Sequence, residues 1–373
     1  MEHAVVIFSG YNMRAVIAFL RVAIKYKVPV IIIATSKEDI IFQTKYSKFV
    51  AYTREKNDIN SIKDIPKIIT NMFSYTKYII LPSTESLNRF ILENRDYFMS
   101  YNFYIPLVEK ELYEKISNKK TFYELCKNNY LEVPEEISKI DGTTFPVVLK
   151  PNYYNYDNPL KPIIFFDFND FKNYMDKDYK KSDWSIQQYV DGESFYLLYY
   201  FRPNGDWIFY GQKNIMQQPN GGSIITALIY NDDFLEAVAK KYAQMILNSG
   251  FKGLIMVEVR KKHDKYIMIE ANPRLWGPSQ LFVDAGLPLF EYFLNDVGFD
   301  IFIEKDYKIN TDAHYYWDEG LKKSNNNEVY FCYSREQFIC DYDYLLSQEI
   351  YNRDDTKQIF LKGNIYDSNK LER

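Results

Sequence analysis

The chain opens on "HAVVIFSG", an apolar run too short for a helix and closed by Ser-Gly, which predicts a buried strand. "YNMRAVIAFLRVAIKYK" then places Val16, Phe19, Leu20 and Ala23 on one helical face. "VPVIIIA", opened by Pro29, predicts a second strand. Such a strand–helix–strand unit predicts a parallel sheet. "DIPKIITNMFSYT" reads as a helix, and "KYIILPSTE" as a strand ending at Pro82. Residues 1 to about 105 therefore predict a small doubly wound parallel α/β fold, within an N-terminal domain of 1–117.

The pattern then changes. "ISNKKTFYELCKNNYLEVPEE" predicts a helix capped by Asn118, with Phe122 and Leu125 inward and Pro134 beyond its end. "FPVVLKP" is a short buried strand ending in Lys150. "WSIQQYVDGESFYLLYYFRPNGDWIFYGQKN" holds two strands joined by "RPNGD", whose Asn-Gly marks a hairpin. "DDFLEAVAKKYAQMILNSG" is an amphipathic helix closed by Gly250, and "GLIMVEVRKKHDKYIMIEANPR" is a second hairpin. These elements divide the rest into 118–188, 189–300 and a polar, Tyr-rich extension, 301–373, with "KSNNNE" as a loop. No internal repeat is visible.

Composition narrows the function classes. The 373 residues suit two or three domains, and 47% apolar content supplies a sizeable core. Net charge is −4 with no long basic run, which disfavours a nucleic-acid partner. The 35 Tyr are scattered and do not form a stacking surface. No 18-residue apolar run predicts a membrane helix, and "MEHAVVIFSGYNMR" lacks the basic flank and cleavage site of a signal peptide. The three cysteines (Cys126, Cys332, Cys340) form no CxxC pair, which suits free thiols in a cytoplasmic protein. His3, His263 and His314 have no spaced Cys or His partner for a zinc site. The first turn, "FSGYNMRA", has one glycine and not the GxGxxG of a dinucleotide site. At the end of the later strand, Ser83, Thr84 and Glu85 suit either substrate contact or a helix start capped by Ser83.

The chemistry concentrates in the last hairpin. Glu270 and Asn272 are two residues apart on one strand and share a face. If "HDK" is a three-residue turn, Lys262 faces Tyr266 and Glu258 faces Glu270. Like charges directly opposite destabilise a sheet unless a cation lies between them. The flanks "LIMV" and "IMI" are core-like, so a solvated acid pair is the weaker reading. Two carboxylates and an amide oxygen form an all-oxygen set suited to Mg²⁺. Such an ion usually carries substrate phosphates as well. Three cations suit phosphate: Lys150 at a strand end, Lys119 near a helix N-terminus where an anion is welcome, and Arg274 with two parallel donors.

In this order the residues resemble the ATP-grasp superfamily, and within it the carboxylate–amine ligases of the carbamoyl-phosphate-synthase-like type. The resemblance runs from about Val5 to Leu294 and rests on five motifs: Lys119 in "SNKKTFYEL", Lys150 in "VVLKP", the hinge "IQQYVDGES", Glu258 in "VEVR", and "EANPRLWG". It implies a two-lobed ATP-grasp fold, α+β in the ATP-binding part, after the N-terminal α/β domain. It implies that Lys119 and Lys150 contact ATP phosphates and that the hinge at Gln187, Gln188, Tyr189 and Val190 holds adenine. Glu193 is the implied ribose ligand. Glu258, Glu270 and Asn272 are the implied ligands of one or two Mg²⁺ ions, with Mn²⁺ an alternative. Arg274 and Lys213 are implied to hold the phosphoryl group in flight. The implied reaction converts a small-molecule carboxylate to an acylphosphate and joins it to an amine, with no membrane or nucleic-acid partner; homodimers are frequent in the family.

The chain departs from the family in three places. "PNYYNYDNPLKP", after Lys150, has no glycine where a glycine-rich phosphate lid is common. Gln187 and Gln188 stand where acids are common, and Glu193 sits one residue early for a ribose acid. Gly221 and Gly222 suit a substrate loop or a plain turn, and Trp276 suits the pocket or the core. "AHYYWDEG" carries no assignment. A carboxylase or kinase-type enzyme and a non-catalytic nucleotide-binding module are the alternative readings.

Overall fold

The computed structural model describes residues 2–55, 58–154, 160–178, 183–304, 306–324, 329–330 and 332–363. Its first layer is a parallel sheet of β1 (His3–Phe8), β2 (Val30–Ala34), β3 (Val50–Thr53), β4 (Lys77–Ile80) and β5 (Phe103–Tyr104), in spatial order 3-2-1-4-5. Helices α1 (Met13–Lys25), α2 (Ile65–Met72), α3 (Glu85–Glu93) and α4 (Arg95–Met99) connect the strands. The strands read as unbroken apolar runs because both faces are covered. Val5, Ile7 and Ile32 pack with α1, while Ala4, Val6 and Ile33 pack with α2 and α3. This is the doubly wound arrangement expected from the periodicity. The winding reverses between β1 and β4, so the loops after these two strands form a crevice where such sheets bind ligands.

Helices α5 (Lys110–Ser117) and α6 (Lys119–Asn128) lead to a small antiparallel sheet: β6 (Val147–Pro151) flanked by β7 (Ile163–Phe165) and β8 (Trp184–Gln188). Helix α7 (Phe168–Asp178) covers it through Phe171, against Leu149, Phe165 and Trp184. The glycine-free segment after Lys150 lies partly outside the described residues, at 155–159.

The main layer is an antiparallel sheet. It comprises β9 (Glu193–Phe201), β10 (Trp207–Gln217), β11 (Ile224–Ile229), β12 (Gly253–Lys262) and β13 (Lys265–Asn272), in order 13-12-9-10-11. Strand alternation gives it two buried faces. Phe195, Leu197, Ile255 and Val257 meet α8 (Asp233–Asn248). Tyr196, Leu198, Leu254 and Met256 join the cluster built on α1, α9 (Gln280–Asp284) and α10 (Leu289–Asp296). Gly192, before β9, sits so close to β12 that a Cβ there would lie 2.2 Å from the Lys261 carbonyl oxygen, so the hinge motif needs glycine at this point.

The segment beyond 300 is not a separate layer. Its β14 (His314–Tyr316) extends the main sheet beside β11. Helix α11 (Asp318–Lys322), β15 (Val329–Tyr330, paired with β10) and α12 (Arg335–Ser347) follow. Arg21 of α1 reaches Asp355 at 2.8 Å, and Arg353 pairs with Asp284 of α9, so ion pairs fasten this segment to the N-terminal domain and to α9. Residues 325–328 of its loop and 364–373 lie outside the described residues. Among the described residues, no helix is long and apolar enough to cross a membrane.

Glu349, after α12, is 1% exposed and accepts from the backbone N–H groups of Tyr351 and Asn352. Burial, with Asp318 nearby, pushes its carboxyl up to about 7. A folded-state value above the unfolded one favours the folded state fully below about pH 4, and that contribution is lost as pH rises through about 7. The loss is on the order of 3 kcal/mol. Glu349→Gln keeps the acceptor and removes the charge. Its stability relative to the parent should therefore rise between pH 5 and pH 8 in denaturant titrations. A difference that stays constant across that range would show ordinary ionisation of Glu349.

Candidate active site

The last hairpin does not turn where the sequence suggested. Its turn is two residues, His263–Asp264, with Lys262 opposite Lys265 and Lys261 opposite Tyr266; His263 takes a left-handed φ of 53°. That register, continued, would put Glu258 opposite Ile269. A β-bulge between Glu258 and Val259 absorbs one residue of β13, and Glu258 faces Glu270. The shorter turn and the bulge each shift the register by one, and they cancel. At the bulge, the Ile269 carbonyl accepts from Lys150 Nζ at 2.8 Å.

The facing acids are held in unlike states. Burial and the neighbouring Glu270 push the Glu258 carboxyl up to about 7. Burial opposes ionisation of Glu270 too, but Lys119, Asn272 and Arg274 outweigh it and hold its carboxyl at about 2. Lys119 Nζ ion-pairs with Glu270 Oε2. Asn272 Nδ2 donates to Glu270 Oε1 at 2.7 Å, and Arg274 Nη2 donates to Asn272 Oδ1 at 3.1 Å. Ser194 Oγ donates to Glu258 at 3.2 Å. Burial and Lys119 push the Lys150 ammonium down to about 8.

Lys119 is the first residue of α6, whose preceding Asn118 accepts from the Lys120 and Thr121 N–H groups, as the sequence predicted. The helix dipole disfavours a lysine there, and the Glu270 carboxylate offsets that cost.

These groups wall one cavity of about 640 Å³ between the small sheet, the main sheet and the β1 crevice. Glu258, Glu270, Asn272, Lys119, Lys150 and Arg274 line it, as do the hinge residues Gln187 to Val190. The hinge N–H groups of Gln188 and Tyr189 already donate to the Glu135 and Pro146 carbonyls. Gln187 Oε1 is buried without a partner. The Gly221–Gly222 turn lines the cavity, and Trp276 both lines it and is 1% exposed, so each joins its two readings.

Other expected residues are elsewhere. Lys213 and Glu193 are absent from the cavity wall and pair with each other at 2.8 Å, while Cys332 Sγ also donates to Glu193. Strand parity explains this. Lys213 lies opposite Phe195, on the α8 face, whereas Glu258 lies opposite Tyr196, on the other face. Ser83, Thr84 and Glu85 do not line the cavity either. Thr84, not Ser83, caps α3, accepting from the Leu87 N–H, and Glu85 pairs with Arg89.

Among the lining residues that sequence reading missed are Tyr196, Arg260, Asn12 and Arg14. The first two were within reach, since Arg260 is two residues beyond Glu258 on the same strand face. Asn12 and Arg14 follow β1. The crevice rule applied to β1 as well as β4 would have found them.

The donor set fits a Mg²⁺–nucleotide. Two facing carboxylates with an amide oxygen beside them suit a hard cation, and a lysine from each flanking element suits phosphate. The unpartnered Gln187 oxygen leaves an acceptor for a polar ligand at the hinge.

Comparison with known proteins agrees on the fold. No family model matches the chain. A curated D-aspartate ligase from Enterococcus faecium (strain Aus0004) is 24% identical over 291 residues, covering 70% of this chain and 67% of that protein. Among solved structures, a biotin carboxylase–βγ-ATP complex from Campylobacter jejuni matches with TM-score 0.62 at 13% identity, over 83% of this chain and 74% of that one. An L-amino acid ligase from Bacillus licheniformis matches with TM-score 0.57 at 14% identity, over 80% and 74%. The chain has the fold of these ATP-grasp structures.

Within the ATP-grasp fold, Lys150 joins the small sheet to the metal-suited hairpin through its bond to the bulge carbonyl. Lys150→Met should weaken binding of a non-hydrolysable Mg²⁺–ATP analogue about 10- to 100-fold, read by calorimetry, with the unfolding midpoint little changed. Unchanged affinity would remove Lys150 from the phosphate site.

Proposed function

We propose that this protein is an ATP-dependent ligase that activates a small-molecule carboxylate and joins it to an amine. The observation that carries the reading is the buried Glu258–Glu270 pair, set with Asn272 among Lys119, Lys150 and Arg274 in one cavity. Kinship with a D-aspartate ligase and with an L-amino acid ligase fold supports it.

Glu258, Glu270 and Asn272 would hold one or two Mg²⁺ ions, which neutralise phosphate charge and orient the triphosphate when bound. Lys119 and Lys150 bind phosphate oxygens from the helix and strand sides. Arg274, fixed by its bonds to Asn272 Oδ1 and the Leu275 carbonyl, offers its guanidinium to the transferring group. The hinge at Gln187 to Val190 seats the base. A carboxylate oxygen of the substrate attacks the γ-phosphorus, the bond to the β-phosphate oxygen breaks, and ADP leaves. The amine nitrogen then attacks the acyl carbon, phosphate departs and the amine loses a proton. The protein contributes position and charge, the main requirements of phosphoryl transfer.

The test is ADP release by the purified protein with ATP and Mg²⁺, against amino acids and small carboxylates with and without amines. D-aspartate belongs in the set because it stands in the curated relative's name. Release should need both Mg²⁺ and a carboxylate, and mass spectrometry should find the amide. Glu270→Gln should lower the rate about 100-fold or more. Release driven by bicarbonate alone would favour carboxylase chemistry. Nucleotide binding without release would favour a binding module. An undiminished Glu270→Gln rate would sink the metal assignment.

A further inference from the structure

Arg14 is one of three cavity cations, with Lys161 and Arg260, that the proposed phosphoryl chemistry leaves without a task. It lies in the first turn of α1, at the crevice after β1, and lines the cavity. Its Nη1 donates to the Ile224 carbonyl at 3.3 Å and to the Tyr315 hydroxyl at 2.9 Å. Its Nε and Nη2 find no acceptor, and no carboxylate lies within ion-pair distance, among the described residues. The guanidinium is nonetheless fixed. Trp317 stacks 3.7 Å from its central carbon. On another side, a Cβ on Gly277 would lie 2.8 Å from Nη2, so glycine there makes room for it.

By contrast, Lys119 holds Glu270, Lys150 holds the Ile269 carbonyl, and Arg274 holds Asn272 and Leu275. These three belong to the phosphate end. The cavity wall carries six cations and two carboxylates, a surplus that a Mg²⁺-bound triphosphate does not neutralise.

We propose that Arg14 anchors a second, non-reacting carboxylate of the acid that this site activates, so that the substrate class is a small diacid or acidic amino acid. The proposal rests on the ligase reading above. An arginine with donors left over, preorganised by stacking, suits paired contact with a carboxylate. A carboxylate held that way has its oxygens engaged and is a poor nucleophile, so the reacting group must be the other one, beside Glu270 and Arg274. Tyr315 and Trp317 are positioning residues, which gives the segment beyond 300 a part in substrate choice.

The test measures binding by calorimetry to the full chain with a non-hydrolysable Mg²⁺–ATP analogue, so that it does not depend on turnover. The probes are the two enantiomers of aspartate and of glutamate, each against its two monoamides. A diacid should bind the parent protein at least about 10-fold tighter than its monoamides, and Arg14→Gln should erase that preference, weakening the diacid about 100-fold. Nucleotide affinity should not change. Gly277→Ala, which displaces the guanidinium without deleting it, should weaken the diacid and spare the nucleotide; it covers the case in which Arg14→Gln fails to fold. Diacids and monoamides that bind the parent alike, no binding of any probe, or a preference that survives in both variants would overturn the proposal. Arg14-dependent binding without ADP release would overturn the ligase reading alone.

Discussion

Two carboxylates facing each other across a buried strand pair are an electrostatic liability, and much of this molecule is arranged around that fact. Glu258 and Glu270 cannot both ionise at that spacing without compensation. The chain compensates unevenly. Lys119, Asn272 and Arg274 converge on Glu270 and keep it charged, while at Glu258 burial and Glu270 outweigh the Arg260 charge and the Ser194 hydroxyl and drive it towards its neutral form. Replacing the acids by apolar residues would relieve the sheet. Retaining them makes sense where a divalent cation takes the place between them.

The three layers each supply what the pair lacks. The N-terminal sheet brings its crevice, and with it Asn12, against the hairpin end, where Asn12 Nδ2 donates to the Leu275 carbonyl that Arg274 also uses. Helix α6 delivers Lys119, and the small sheet delivers Lys150 and the hinge. The main sheet separates duties by parity: one face is committed to α8, and the other presents Tyr196, Glu258 and Arg260 together. The site is thus a consequence of which residues are even and which are odd along β9 and β12.

That parity also explains what could be read in advance. The doubly wound domain was legible because strands buried on both faces write continuous apolar runs. The acid pair was legible because two core-like flanks enclosed charged residues. The hairpin register came out right through two unseen features, a two-residue turn and a bulge at Ile269, that offset each other. Lys213 and Glu193 lie off the cavity wall because motif order along the chain does not carry strand face, and the pairing with Phe195 puts Lys213 on the face away from Glu258. Arg14 was passed over for a different reason. Its place after β1 marks it as a crevice residue, but what it can do there is set by tertiary contacts with Tyr315 and Trp317, some 300 positions away.

Both lysines of the phosphate end already have protein partners, and this bears on how a charged ligand could enter without leaving a buried charge alone. Lys119 holds Glu270, and Lys150 holds the carbonyl that the bulge turns towards it. On the proposed reading, Glu270 would exchange Lys119 for the cation, and Lys119 and Lys150 would turn to phosphate oxygens when a metal-bound triphosphate is held. Each charged group would lose one polar partner and gain another, so the desolvation already met in folding is not met again. A site whose lysines pointed at nothing would bear that cost in the unliganded state. The bulge therefore has two functions in one residue: it sets Glu258 opposite Glu270, and it gives Lys150 an acceptor that can be given up, because a backbone carbonyl released from an ammonium loses less than a carboxylate would.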